Sequence, residues 1–280
     1  MARSKNLVEL KLRDTKVSDK VLGDLARIPN LRLLDLGDTA VTDHGVVKLA
    51  ASGSLTDLRL DRTDVTNEGL GALGGLSTLK TLDLSGTGVT KDGVAKLARS
   101  KSLVELALGS TKIGDEGVKE LARLNGLQKL DLHETAVTDE ALAELSAWPS
   151  LRSLNVEATS ITNKGLEKLA RSNSLADLNI CHTSANDEGL LALSRLATLK
   201  SLHIVGYRFT ADGVRRLKST LPEIAIIGPQ ASAQRRKPDY RRITILPAAR
   251  RPPWWPTTRL WDTRHAGQPY KDVGMKPSNS

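Results

Sequence analysis

The sequence predicts an α/β solenoid of stacked units, with parallel strands on a concave face and short helices on a convex one. Two observations carry this. Leucines recur exactly once per 24 residues, at Leu7, Leu31, Leu55, Leu79, Leu103, Leu127, Leu151, Leu175 and Leu199, with no insertion or deletion, and a fixed period in this range marks a stacked repeat. Within each period the apolar spacing changes from two to three, the pattern of a strand followed by a helix.

Numbering each unit from its first leucine, position 4 is Leu in all nine units and position 6 is Leu, Val or Ile, as in Leu82 and Leu84. This alternation predicts a strand whose positions 4 and 6 enter the core. Position 9 is Thr in eight units, from Thr15 to Thr183, and Tyr207 in the ninth. A hydroxyl at one site per turn can bond backbone left unpaired where strand becomes loop, and stacked copies would form a ladder.

Thr or Ser followed by Asp or Asn comes next, as in Thr42-Asp43 and Thr162-Asn163; these are residues that cap helix N-termini. Apolar residues then stand three apart at positions 16 and 19, such as Val94 and Leu97, giving a short helix one inward stripe. Glycine fills position 15 in seven units although it costs about 1 kcal/mol against alanine in a helix. Close backbone packing against the sheet is the expected reason. One strand and two helical turns have no second layer of their own, so each unit buries its leucines only against its neighbours.

The string LxxLxLxxT followed by V-T-D-x-G-[VL]-x-x-L-A resembles the leucine-rich repeat of the 24-residue bacterial kind, with Thr where the commoner form carries Asn or Cys. The resemblance covers residues 1–227 and implies a right-handed horseshoe solenoid that binds other proteins through its concave sheet.

Composition agrees: 39% of residues are hydrophobic and only 3% aromatic, as expected of a core built from leucine. No run of 18 apolar residues suggests a membrane span, and Met1 to Asn6 has no hydrophobic segment of the signal-peptide kind. The single Cys181 allows no internal disulfide, so the expected location is cytoplasmic. The segment MARSKN at 1–6 matches LARSKS at 97–102, so the chain is expected to open in mid-repeat, without the polar cap that usually covers the first core edge.

At the other end, Ile224 to Ile227 reads as a short terminating strand. Beyond it the composition changes: residues 228–280 hold eight of the 11 prolines, three of the four tryptophans, and 11 Lys and Arg against 3 Asp. Such a segment lacks the patterned apolar surface for a core, and disorder is expected. It reads as a solvated linker, as translation past the natural end or through a shifted frame, or as an arm for nucleic acid or an anionic membrane. In the last case Arg251, Trp254, Trp255, Arg259 and Trp261 would neutralise phosphate and stack on bases or sit at an interface.

With positions 4 and 6 inward, positions 3, 5 and 7 point out and position 8 lies at the rim. These four positions hold twelve acidic residues and five basic ones, a surface that would attract a basic protein or peptide. Candidate contacts are Asp35, Asp57, Arg59, Asp61, Asp83, Glu105, Asp131, Glu134 and Glu157. A solvated sheet is the alternative, with Arg59 offsetting Asp35 and Asp83 on the adjacent strands.

His133, Glu157, Cys181, His182 and His203 cluster at outward positions near the end of the sheet, and Cys181 with His203 as its base is the one arrangement that suggests a thiol enzyme. A metal site can be drawn on the same residues. Against both stand the lack of any GxSxG, HExxH, CxxC or phosphate loop and the openness of a sheet face. Trp148, in the slot held by Leu76 and Leu124 elsewhere, is expected in the core. The reading is a non-enzymatic scaffold without cofactor, metal or small-molecule substrate.

Overall fold

The computed structural model of the chain describes residues 6–205 and 208–228. Each unit begins with a strand: β1 (Glu9–Lys11), β2 (Leu33–Asp35), β3 (Asp57–Arg59), β4 (Thr81–Asp83), β5 (Glu105–Ala107), β6 (Lys129–Asp131), β7 (Ser153–Asn155), β8 (Asp177–Asn179) and β9 (Ser201–His203). Helices α1 (Leu22–Leu25), α2 (Asp43–Leu49), α3 (Asn67–Leu73), α4 (Lys91–Leu97), α5 (Asp115–Leu121), α6 (Asp139–Leu145), α7 (Asn163–Leu169), α8 (Asp187–Leu193) and α9 (Ala211–Thr220) follow them in alternation. A last strand, β10 (Ala225–Ile227), pairs with β9.

All ten strands form one parallel sheet in sequence order. The register shifts by one period at each step, so that Leu34 faces Leu58 and Leu58 faces Leu82. A constant period therefore sets both the strand pairing and the core. Leu79, Leu82, Leu84, Val89, Val94 and Leu97 of the fourth unit are all buried, as are their counterparts in the interior units. Truncating one of them, Leu82→Ala for example, would cost about 2–5 kcal/mol. At the first edge Leu7, Leu10 and Leu12 are only half-buried, β1 being the first strand among the described residues.

Each Thr at position 9 donates its hydroxyl to the carbonyl three residues back, from Thr15 to Leu12 through Thr183 to Ile180, at 2.5–2.9 Å. The ladder is thus a row of bonds within units, each closing the turn after its strand. Trp148 is buried as expected, with its indole Nε1–H lacking an acceptor among the described residues.

Two expectations change in detail. The Thr at position 12 is the N-cap, its hydroxyl accepting the N–H two residues on, as from His44 to Thr42 and Lys164 to Thr162. The acidic residue at position 13 does not cap its own helix; it reaches into the next unit. Asp43 accepts the N–H of Thr66 at 2.9 Å and its hydroxyl at 2.6 Å, and also the N–H of Gly69 at 3.0 Å. This clasp also explains the helical glycines of the clasped units, whereas a Cβ on Gly117 would instead meet Ile113 Cγ2 at 2.9 Å. A Cβ on Gly69 would stand 2.7 Å from Asp43 Oδ1, so the close approach is to the preceding helix's carboxylate, not to the sheet.

The clasp recurs between Asp19 and Thr42, Asn67 and Thr90, Asp115 and Thr138, Asp139 and Thr162, Asn163 and Asn186, and Asp187 and Thr210. It is missing between α4 and α5, where Lys91 replaces the acid and Gly114 replaces the Thr, leaving α5 without a side-chain cap.

Candidate functional site

The open face of the sheet is built from positions 3, 5, 7 and 8, and the chain treats each of them differently. At position 5 the side chain serves the fold. Asp35, Asp83, Asp131, Asn155 and Asn179 each use Oδ1 to accept the N–H of position 7, at 2.9–3.0 Å. Acid and amide do this equally well, because only an acceptor oxygen is needed.

At position 8 the backbone turns through the left-handed region, with φ of 53–56° at Asp14, Asp38, Arg62, Ser110, Glu134, Ala158 and His182, and 68° at Gly86. Their N–H groups extend the ladder beyond the strand, as from Asp38 to Asp61 O at 2.9 Å and from Glu134 to Glu157 O at 2.8 Å. Gly86, and more weakly Asp14, Asp38 and His182, are types that tolerate such a backbone, but Arg62, Ser110, Glu134 and Ala158 are not, so the sequence largely conceals the feature.

Position 7 carries two ion networks. Arg13 on the first unit lies across Gly37 of the second, where a Cβ would collide with the guanidinium, and reaches Asp61 on the third. Its Nη1 contacts Asp38 at 2.7 Å and Asp61 at 2.9 Å, its Nη2 donates to Asp61 Oδ1, and its Nε contacts Asp35 at 3.4 Å. Burial opposes the guanidinium charge, but Asp61 and Asp35 outweigh it and raise its pKa further. Asp35 and Asp61, expected to point into solvent, are therefore only 4% and 5% exposed. The arginine shields them from above and makes this end of the face a sealed salt bridge.

Arg59 pairs with Asp35 at 3.7 Å and Arg62 with Asp38 at 3.6 Å. Arg59 does not offset Asp83 as expected. Burial, then the charge of Asp61, pushes the Asp83 carboxyl up to about 6.

The second network centres on His133, whose ring lies against Gly109. Its Nδ1 is 2.9 Å from Asp131 Oδ1. Burial alone would lower its pKa, but the bond to Asp131 and the charges of Asp131, Glu134 and Glu157 push it up to about 9. His133 is thus an imidazolium at neutral pH. Glu157, raised by burial, accepts from Asn179 Nδ2 at 3.0 Å.

The remaining candidates are more open. Glu105 pairs with Lys129 at 2.5 Å, Glu134 accepts from Ser110 at 2.7 Å, and Asp57 accepts from Thr56 at 2.5 Å. Asp177, absent from the candidate contacts, sits at the same position 3 as Asp57 and Glu105, with its pKa raised by burial. Arg13 and His133 were also outside that set, yet each organises several strands.

Cys181 is only 7% exposed, and burial, reinforced by Glu157, pushes its thiol far above the usual range. His203 is buried and its pKa is lowered by burial. A nucleophile of this kind needs a thiolate, which this environment disfavours. Among the described residues no cluster of His, Cys, Asp or Glu has the arrangement to hold a metal ion, and no helix is long and apolar enough to cross a membrane. On the helix side, a groove between α7 and α8 is lined by Lys164, Lys168, Arg171, Arg195, Glu188 and Leu191, among others. Tail candidates Arg251, Trp254, Trp255, Arg259 and Trp261 lie outside the described residues.

A leucine-rich-repeat family model matches residues 27–50, 75–98, 99–122 and 149–170. A search of the curated proteins gives no match. Among solved structures, internalin C2 from Listeria monocytogenes is similar, with a TM-score of 0.57 and 26% identity over 70% of this chain and 80% of that one. An internalin, InlF, from the same organism gives a TM-score of 0.53 at 18% identity over 81% and 82% of the two chains, a likeness of fold alone.

Proposed function

We propose that this chain, whose repeats match a leucine-rich-repeat family model, is a non-enzymatic scaffold which binds a basic protein or peptide on the open face of its sheet. The observation that carries this reading is the set of position-3 carboxylates, Glu9, Asp57, Glu105 and Asp177, which remain exposed or part-exposed on the face after the position-5 acids are taken up by turns. Carboxylates repeated on one surface raise the encounter rate with a cationic partner and weaken in salt. The buried thiol of Cys181 supports a binding role over a catalytic one.

Affinity purification with the full chain at low and high salt, followed by mass spectrometry, would identify the partner. Binding of the purified pair is then compared for wild type and an Asp57→Asn, Glu105→Gln, Asp177→Asn variant. The expected result is at least a tenfold loss of affinity at low salt, narrowing as salt rises. An unchanged affinity in this variant, with loss on replacing Arg251, Trp254 and Trp255 by alanine, would move function to the tail.

A further inference from the structure

Charge on the solenoid is segregated in a way that the sheet face does not account for. The eight loops that follow α1 to α8, residues 26–32, 50–56, 74–80, 98–104, 122–128, 146–152, 170–176 and 194–200, contain ten Lys and Arg and no Asp or Glu, whereas the shorter loop after α9 carries Glu223. Every one of those ten is exposed. Arg27 and Arg123 pair with the helices they follow, with Asp24 at 3.7 Å and Glu120 at 3.4 Å. The other eight make no ion pair among the described residues. A cation near a helix C-terminus complements the helix dipole, which accounts for Arg99 or Arg171; it does not account for Arg32, Arg152 or Lys200, which precede strands.

We infer that this loop edge is a docking surface for a nucleic acid held by its phosphates. Charge complementarity argues for a polyanion, and the shape of the array argues for a linear one. Successive loops are separated by between the strand spacing of about 4.8 Å and the helix spacing of about 8–10 Å, the rise of roughly one to three nucleotides along one strand. Seven of the ten cations are arginine, whose planar fork takes phosphate oxygens bidentately.

Trp148, the aromatic residue of these loops, is buried, so bases find no stacking platform and recognition is independent of sequence. A membrane is disfavoured because the large exposed apolar residues of the described chain, Val8, Val47 and Leu191, lie outside these loops and offer no wedge into lipid. This surface is distinct from both the acidic sheet face and the tail.

The test measures fluorescence anisotropy of a labelled 20-base-pair DNA duplex titrated with the full chain between 50 and 200 mM NaCl. In the variant Arg99→Gln, Arg123→Gln, Arg152→Gln, Arg171→Gln, the slope of log affinity against log salt should fall by about three to four, at roughly 0.9 per lost phosphate contact. Affinity at 100 mM should drop at least tenfold. The single Arg152→Gln, read in the same way, should lower the slope by about one and keeps the test valid if the fourfold variant folds poorly. A matched variant of the tail, Arg241→Gln, Arg242→Gln, Arg250→Gln, Arg251→Gln, separates the two basic regions. Wild-type slope in both loop-edge variants, with loss confined to the tail variant, overturns the proposal. So does wild-type binding to vesicles containing phosphatidylserine without binding to the duplex.

Discussion

Asp139 at the start of α6 grips Thr162 of the next unit twice, accepting its N–H at 2.8 Å and its hydroxyl at 2.6 Å. One side chain thereby fixes the N-cap of the following helix and ties two neighbouring units together. Stability of a stacked array rests largely on such nearest-neighbour terms. The interface between α4 and α5, lacking this clasp, is the place to test its worth.

Restoring it takes two substitutions, Lys91→Asp and Gly114→Thr. Together they should stabilise the chain by about 1 kcal/mol, the usual worth of a cap or of one net hydrogen bond. Either alone leaves its partner missing and should contribute less than half of that. A double-mutant cycle in urea measures the coupling, and additive single effects would show that the clasp is not the stabilising element.

The left-handed backbone at position 8 leads to a second expectation. Ala158, with φ of 54°, occupies a region that costs an L-residue about 1–2 kcal/mol. Ala158→Gly relieves this at an entropic cost of about 0.5–1 kcal/mol and should leave a net gain of up to about 1 kcal/mol. The same change at Ala107, in β5, should destabilise by roughly 0.5–1 kcal/mol. Thermal melting of the two variants reads opposite shifts if the backbone is as described.

How the sequence maps onto the molecule follows from what each residue's role depends on. Leu82, Leu84 and Leu97 were legible because burial on one face of a strand or helix imposes a period that survives in the sequence. Thr87 was legible as a bonding hydroxyl, since its identity never varies over eight units. Asp83 and Asp61 were not. An acid at an outward strand position looks like surface charge, and only the chain's reversal at position 8 and the reach of Arg13 over Gly37 turn it inward. The loop cations are hidden for another reason: Arg99 stands at position 21 of its unit and Arg152 and Lys200 at position 2 of theirs, and only stacking brings them to one edge.

Cys181 provides a chemical check on the face. Its burial and raised pKa predict slow alkylation by iodoacetamide at pH 8 in the native chain and rapid alkylation in urea, with at least a hundredfold difference if access requires unfolding. Native labelling as fast as that of a free thiol would mean that the eighth strand's outer face is open, and would revive Cys181 as a reactive group.

Asp83 carries the clearest pH dependence. Its carboxyl titrates at about 6 in the folded chain against 3.8 when unperturbed, so between those values the folded state holds more proton than the unfolded one. Stability therefore falls as pH rises from about 4 through 6, and stays reduced above that. Asp83→Asn keeps the acceptor for the Ser85 N–H, as Asn155 and Asn179 do for Glu157 and Cys181, and removes the charge that burial and Asp61 disfavour. The variant should be more stable than wild type by about 1–2 kcal/mol at pH 7 and nearly equal to it at pH 4. Urea melts at the two pH values check this directly. An asparagine variant that loses stability at pH 7 would instead mean that the Asp83 carboxylate makes a favourable ionic contact, and that burial is not what governs its titration.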